Sequence, residues 1–195
     1  GQLSGGSLGG LLNFRNQVLD TSKNALGRVA IGIASAINTQ HHLGMDLNGA
    51  LGGDLFTVAT PGAIASSANT GTGSVTSTLI NANDLTTSDY KLLYNGGNNY
   101  TLTRLNDGQT FAINTGGSSP YTTSAMDGIS LTINAGAAVG DNFLIQPTKR
   151  GADDLSTVIT DPSKIAAAVP VIVTTPLSNM GTATAGTISV NDPND

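Results

Sequence analysis

The feature that most limits what this chain can fold into is a long apolar repeat near its start. Leucine or isoleucine recurs every seven residues at Leu12, Leu19, Leu26 and Ile33. Leu8, Val29 and Ala36 flank that row at the complementary spacing, and Leu11, Val18 and Ala25 form a third row. Such a pattern places its apolar residues along one side of an α-helix. The stripe is wide, and Arg15 and Ser22 interrupt it, which suits a globular helix bundle better than a narrow two-stranded seam. Ser7 is a natural N-cap and Gly44 a natural stop, so the repeat predicts a helix from about Leu8 to about His42. At 1.5 Å per residue it would be roughly 50 Å long, far above the globular average. A helix of that length needs partner helices, and its apolar face is expected to be partly exposed or covered by a neighbour.

After Phe56 the period changes from helical to strand-like. Val75–Ile80, Tyr90–Tyr94, Tyr100–Leu105, Thr110–Ile113, Ile129–Ile133 and Asn142–Ile145 each read as a strand. Asn95-Gly96-Gly97, Asn106-Asp107-Gly108 and Asp127-Gly128 supply residues that accept positive φ where a chain must reverse, with Asn95 to Asn98 joining two antiparallel strands. The expected class is therefore α+β and multidomain: a long helix followed by an all-β domain, sandwich or barrel-like. Residues 1–57 form the helical part, 58–174 the β-rich part, and 175–195 a linker or the start of a second β domain. The last idea rests on a loose, gapped echo of Thr60-Pro61, Asn69, Gly71, Ser74-Val75 and Ile80-Asn81 in Thr175-Pro176, Asn179, Gly181 and Thr187-Ile-Ser-Val-Asn191.

Composition narrows the function classes. All 13 acidic residues are Asp, there is no Cys or Trp, and the net charge is −5. Disulfide stapling is impossible. The eight Lys and Arg are scattered apart from Lys149-Arg150, so no basic stripe is available to neutralise successive phosphates and a nucleic-acid partner is not expected. No apolar run reaches membrane-spanning length, and the chain reads as an excised piece of a longer protein.

No catalytic, cofactor-binding or metal-binding residue is singled out. His41 and His42 point about 100° apart on a helix and cannot both reach one metal while the helix continues. A His-Glu-x-x-His motif is impossible without Glu. Asp153-Asp154, beside Lys149-Arg150, imitates a paired-carboxylate site, yet adjacent carboxylates point to different sides and lack apolar surroundings. No Gly-x-Ser-x-Gly elbow is present, and the glycines from Gly5 to Gly10 lack the Gly-Lys-Ser/Thr ending of a phosphate loop. Asn99-Tyr100-Thr101 matches the short glycosylation acceptor pattern, which arises readily by chance in an Asn/Thr-rich chain.

Two stretches resemble a known family. Gly5-Gly-Ser-Leu-Gly-Gly-Leu-Leu-Asn-Phe-Arg15, Asn38-Thr-Gln-His-His-Leu-Gly-Met-Asp-Leu-Asn-Gly49 and Gly52-Gly-Asp-Leu-Phe56 resemble the helical region of the hook-associated protein 1 family, the first of the two hook–filament junction proteins of bacterial flagella. Leu85-Thr-Thr-Ser-Asp-Tyr90-Lys-Leu92, Tyr100-Thr-Leu-Thr-Arg104, Gly140-Asp-Asn-Phe-Leu-Ile-Gln-Pro147 and Asp161-Pro-Ser-Lys-Ile-Ala-Ala-Ala168 are similar to its β-rich outer domain. There, a strand ending in Gly-Asp-x-Phe is expected to precede a short helix carrying Ile-Ala-Ala. The resemblance implies a non-enzymatic structural part of the extracellular flagellum, an internal fragment lacking both helical chain ends, with residues 1–57 in a helical rod domain. It implies self-association in the axial assembly, with the flagellar hook protein and the second junction protein as further partners. Arg15, Lys23 and Gln40 are candidates for touching neighbours. The competing reading is a secreted adhesin or surface-antigen module binding glycans. An aromatic content of 4 % leaves such a module few sugar-stacking surfaces.

Overall fold

A computed structural model describes residues 6–168 and Gly181. The expected helix is present and already helical at Gly6. It is built as α1 (Gly6–Phe14), a single π turn (Arg15–Leu19) and α2 (Asp20–His42). Eight strands follow: β1 (Gly62–Ala65), β2 (Val75–Leu79), β3 (Tyr90–Gly96), β4 (Asn99–Arg104), β5 (Thr110–Asn114), β6 (Tyr121–Thr122), β7 (Ile129–Ile133) and β8 (Asn142–Gln146). The described residues divide into two compact units, one of residues 6–32 with Val58–Leu155, the other of Ile33–Thr57 with residues 156–168.

In the first unit the strands make two antiparallel sheets, ordered β1-β8-β3-β4-β5 and β2-β7-β6. The alternation that marked the strands in sequence decides which side chains meet between them. Leu92 sits opposite both Leu102 and Phe143, Tyr90 opposite Ile145, and Val75 opposite Ile133. These residues and Leu131, Ile129, Tyr100 and Ile113 are buried in one cluster filled from both sheets, the arrangement of a β-sandwich. The three turns the sequence marked are present, and Gly116-Gly117 between β5 and β6, at φ of 57° and 82°, is one it did not mark. Gly96, Gly97 and Asn98 take φ of 91°, 57° and 68° between β3 and β4, Gly108 takes 74° after β4, and Asp127-Gly128 take 48° and 81° before β7.

Two strands were not legible. β1 is Gly-Ala-Ile-Ala, too short and too small in side chains to show a period, and is held by pairing with β8. β6 is two residues long, paired only to β7. Gly140-Asp141 does not end a strand but forms the turn that opens β8. Asp141 is buried, and its carboxylate accepts from the backbone N–H groups of Ala138 (2.9 Å), Thr70 (2.8 Å) and Gly71 (3.0 Å). These bonds hold its pKa below the ordinary carboxylate value.

In the second unit α2 ends in a clamp. The Asn38 side-chain oxygen accepts from the N–H groups of Leu55 and Phe56, both at 2.9 Å, and its Nδ2 donates to Phe56 O at 2.8 Å. The expected short helix at Ile165–Ala168 is absent. The helical turn is instead Pro162–Lys164, capped by Asp161, whose carboxylate accepts from the Ser163 N–H. Ala168 then runs extended beside Met45, exchanging hydrogen bonds of 2.8 and 3.1 Å. Three alanines favour a helix only weakly, and a bridge that satisfies both backbone groups outweighs that preference.

Candidate assembly surface

The helix meets the sandwich through residues the heptad pattern ignores. Asn24, Gly27, Ala30 and Ile31 are the buried positions of the first half of α2, and Ile31 packs into the sandwich core. Their spacing of three and four residues places them on one face. The contact is close: a Cβ on Gly27 would lie 1.8 Å from the Thr148 carbonyl oxygen, and one on Gly151 2.2 Å from the Gly27 carbonyl oxygen. Polar groups pin the same face. Asn24 Nδ2 donates to Asp89 Oδ1 at 3.0 Å, Gln146 Nε2 donates to Asp89 Oδ2 at 2.8 Å, and Lys149 Nζ pairs with Asp20 at 3.1 Å.

Leu26 and Val29 are therefore left outside, and among the described side chains before Asp20 none is buried. Leu11, Phe14, Val18, Leu19, Leu26 and Val29 are exposed by 65, 58, 49, 45, 61 and 56 %. In α2, Leu26 and Val29 sit roughly 100–160° around the helix from Gly27, at 100° per residue. A row of large aliphatic side chains in water is what a monomeric surface avoids and an interface uses. Fully covering one such side chain contributes roughly 1.5–3 kcal/mol, so six supply a large driving force for association.

The residues weighed for chemistry have other occupations. His41 is buried in the second unit. Its Nδ1 contacts Gly53 O at 2.6 Å and its Nε2 accepts from the Ala166 N–H at 2.8 Å, which fits a neutral ring with its proton on Nδ1. His42 lies beside Asp54 at 2.9 Å on the surface. Gly44 and Gly52 allow the chain to pass this ring. A Cβ on Gly44 would come within 2.3 Å of Ala166 O and one on Gly52 within 2.0 Å of His41 O, so Gly44 serves close packing as well as following the helix end. The Asn-x-x-His-x-x-Gly spacing from Asn38 to Gly44 is thus one packing device, legible in hindsight from a polar residue and a glycine recurring at helical spacing.

Asp153 and Asp154 answer different cations, Lys23 at 3.7 Å and Arg150 at 2.8 Å. Asn99 caps its own hairpin: its Nδ2 donates to Gly97 O at 3.0 Å and its Oδ1 accepts from Asn114 at 2.7 Å. Arg15 and Gln40 are exposed. Gly6 and Gly10 lie in α1, and the repeat sought in 175–195 falls outside the described residues except for Gly181.

One polar network was missed. Arg104 Nη2 lies 2.6 Å from Asp127 Oδ2, its Nη1 donates to Asp107 at 2.8 Å, and the Tyr90 hydroxyl donates to the same Asp127 oxygen at 2.7 Å while meeting Thr86 at 2.8 Å. Burial pushes the Tyr90 phenol up to about 12, and the bond to Asp127 pushes the same way. The bonds to Asp127 and Asp107 raise the Arg104 pKa further above its usual value. This network ties the β4 end to the turn before β7. Among the described residues no His/Cys/Asp/Glu group could hold a metal ion, and no helix is long and apolar enough to cross a membrane.

Comparison with known proteins fits this division of labour. The pattern described as "Flagellar hook-associated protein FlgK helical domain" matches residues 1–56, and "Flagellar hook-associated protein 1, D2-like domain" matches residues 64–147. The flagellar hook-associated protein 1 of Escherichia coli strain K12 is 36 % identical over 166 residues, covering 85 % of this chain and 30 % of the relative. That of Salmonella typhimurium strain LT2 is 34 % identical over 167 residues, with the same coverage. The solved structure of the flagellar hook junction protein FlgK from Burkholderia pseudomallei matches with a TM-score of 0.75 at 38 % identity, over 84 % of this chain and 29 % of that one. The chain spans about 30 % of the length of the curated relatives named here.

Proposed function

Because this chain belongs to the flagellar hook-associated protein 1 family, we propose that it forms part of the extracellular junction between the flagellar hook and filament. The observation that carries the proposal is the exposed apolar row from Leu11 to Val29, on a helix that docks on the sandwich through Asn24, Gly27, Ala30 and Ile31 further along. A helix held in this way is a fixed ledge for other helices, and covering it stabilises the assembly. In this reading residues 1–57 belong to a helical rod domain, residues 58–174 to an outward β-rich domain, and residues 175–195 to a linker or the start of a second β domain. The rod makes axial contacts with copies of itself, with the hook protein and with the second junction protein. The β-rich domain carries lateral and surface contacts. The role is mechanical, without catalysis.

Deleting the gene for the full-length protein and examining the cells by electron microscopy tests this. Hooks without filaments, flagellin lost to the medium, and rescue by the intact gene are expected. Normal filaments on the deleted cells would overturn it.

A further inference from the structure

We propose that the open end of the sandwich holds a pocket for the hydroxymethyl arm of a neutral hexose. Such a pocket stands or falls independently of the junction role. β3 starts beside the helix, where Asp89 meets Asn24, and runs to the other end of the sandwich, where Tyr94 stands opposite Tyr100 of β4. There a cavity of about 70 Å³ opens between the sheets, with Tyr94, Tyr100, Asn98, Thr115, Ser118 and Ile133 in its lining. The rings of Tyr94 and Tyr100 lie 4.6 Å apart between centroids, tilted by 38°. Tyr100 is 5 % exposed, yet its hydroxyl makes no hydrogen bond among the described residues. That hydroxyl is not sealed in protein either, so it opens on the cavity the ring lines. A buried tyrosine hydroxyl ordinarily finds a partner. Tyr90, buried in the same sandwich, has Thr86 and Asp127 at 2.8 and 2.7 Å. The fold thus satisfies the phenol that ties its strands together and leaves Tyr100 to something from outside.

The lining sets the chemistry of the ligand. Among the described residues no carboxylate or cationic side chain lines the cavity, so a neutral ligand suits it. Ile133 and the two rings supply an apolar wall. The Tyr100 hydroxyl and the exposed side chains of Asn98 and Ser118 have no hydrogen bond to the described protein, and Thr115 Oγ1 reaches only Asn98 O, at 3.5 Å. An apolar wall facing a few unengaged hydroxyl and amide groups complements a sugar, which offers C–H surface and hydroxyls together. The mouth is set beforehand. Asn98, at φ 68°, accepts from the Thr115 N–H at 3.0 Å, and Ser119 Oγ accepts from the Ala135 N–H at 2.8 Å. These ties join the loops around the opening, so little ordering is left to oppose binding. A volume of about 70 Å³ admits a few water-sized groups rather than a whole pyranose. A hydroxymethyl arm fits, meeting the Tyr100 hydroxyl while the sugar ring stays at the mouth beside the half-buried Tyr94.

Nuclear magnetic resonance titration of the 195-residue chain with methyl glycosides tests the pocket. At least one of the gluco-, galacto- and mannopyranosides is expected to shift the amides of Asn98, Thr115, Ser118 and Gly136 saturably, with half-saturation on the order of millimolar. The amides of Asn24 to Ile31 should not move. Methyl xyloside, which lacks the hydroxymethyl arm, and methyl glucuronide, whose arm is a carboxylate, should each bind at least about fivefold more weakly than the best hexoside. Tyr100→Phe keeps the ring and removes the hydroxyl, and should weaken that hexoside about tenfold with the thermal midpoint retained. Should Tyr100→Phe fold poorly, Ser118→Ala on the exposed rim provides the same test, with a loss of about threefold expected. Saturable shifts from none of the three hexosides, xyloside binding as well as the best of them, or wild-type binding by folded Tyr100→Phe or by Ser118→Ala would overturn the pocket.

Discussion

Gly27→Ala should loosen the protein, although the same change at an ordinary helix position strengthens it. Within a helix, alanine in place of glycine is worth about 0.5–1 kcal/mol through lower chain entropy. At Gly27 the added Cβ would sit 1.8 Å from Thr148 O, 2.9 Å from Thr148 C and 3.2 Å from Gly151 N. Ordinary contact begins near 3.4 Å, so helix and loop must part by more than an ångström, and the obstruction is backbone that cannot rotate away. Overpacking of this kind costs about 1–3 kcal/mol. The parting also strains the Asn24–Asp89 hydrogen bond of 3.0 Å, a bond to a charged group worth roughly 1.5–3 kcal/mol. After the helix gain is subtracted, the net loss is about 3 kcal/mol, or a fall in Tm of roughly 6–12 °C for a chain of this size. Gly32 is the internal control, because nothing lies within 4 Å of its Cβ position. Gly32→Ala should raise stability by about 0.5–1 kcal/mol. Thermal and urea unfolding followed by far-UV circular dichroism measure both, and hydrogen exchange should place the Gly27→Ala loss in the amides of residues 24–31. If the two variants shift stability alike, or Gly27→Ala is neutral, the close-docked helix is wrong.

Three further outcomes follow from the contacts described. Asp141→Asn removes a carboxylate that accepts three backbone N–H groups. Because the folded pKa is depressed, that stabilisation is present above about pH 4 and lost as pH falls through the folded value, so wild type and variant should differ in urea midpoint at neutral pH and converge in acid. Tyr90, raised to about 12, favours the fold below about pH 10 and loses that contribution as pH climbs through its folded value; burial raises Tyr100 as well, so an ultraviolet titration should show a late-ionising tyrosine signal that shrinks without vanishing in Tyr90→Phe. His41→Ala strips the Ala166 N–H and Gly53 O of their partner and opens a cavity, costing about 2–4 kcal/mol, with the Ala166 amide exchanging faster as the direct readout.

Much of the fold was legible because its periods are local. The helix announced itself through Leu19, Leu26 and Val29, and the sandwich strands through alternation such as Tyr90-Lys91-Leu92. What stayed hidden depends on partners distant in sequence. β1 exists because β8 pairs with it, and the Ala166–Ala168 segment is extended because Met45 and His41 engage its backbone. The assembly surface was half legible: the apolar rows from Leu11 to Val29 were marked in sequence, and their exposure was foreseen as one outcome. The reason for it was not. That lies in Asn24, Gly27 and Ala30, residues whose small size or polarity hides a docking face from any count of hydrophobic periodicity. The π turn, too, has no compositional signature, and it changes which of those rows share a side.

The absence of cysteine makes the central claim directly measurable. Leu26→Cys and Ala30→Cys, introduced singly, place one thiol on the proposed outer face and one on the docked face. The account predicts that in the isolated chain a maleimide labels Leu26→Cys at the rate of a free thiol and Ala30→Cys far more slowly. In full-length protein assembled between hook and filament, Leu26→Cys should become as slow as Ala30→Cys. Fast labelling of Leu26→Cys in the assembled junction, or slow labelling already in the isolated chain, would contradict it.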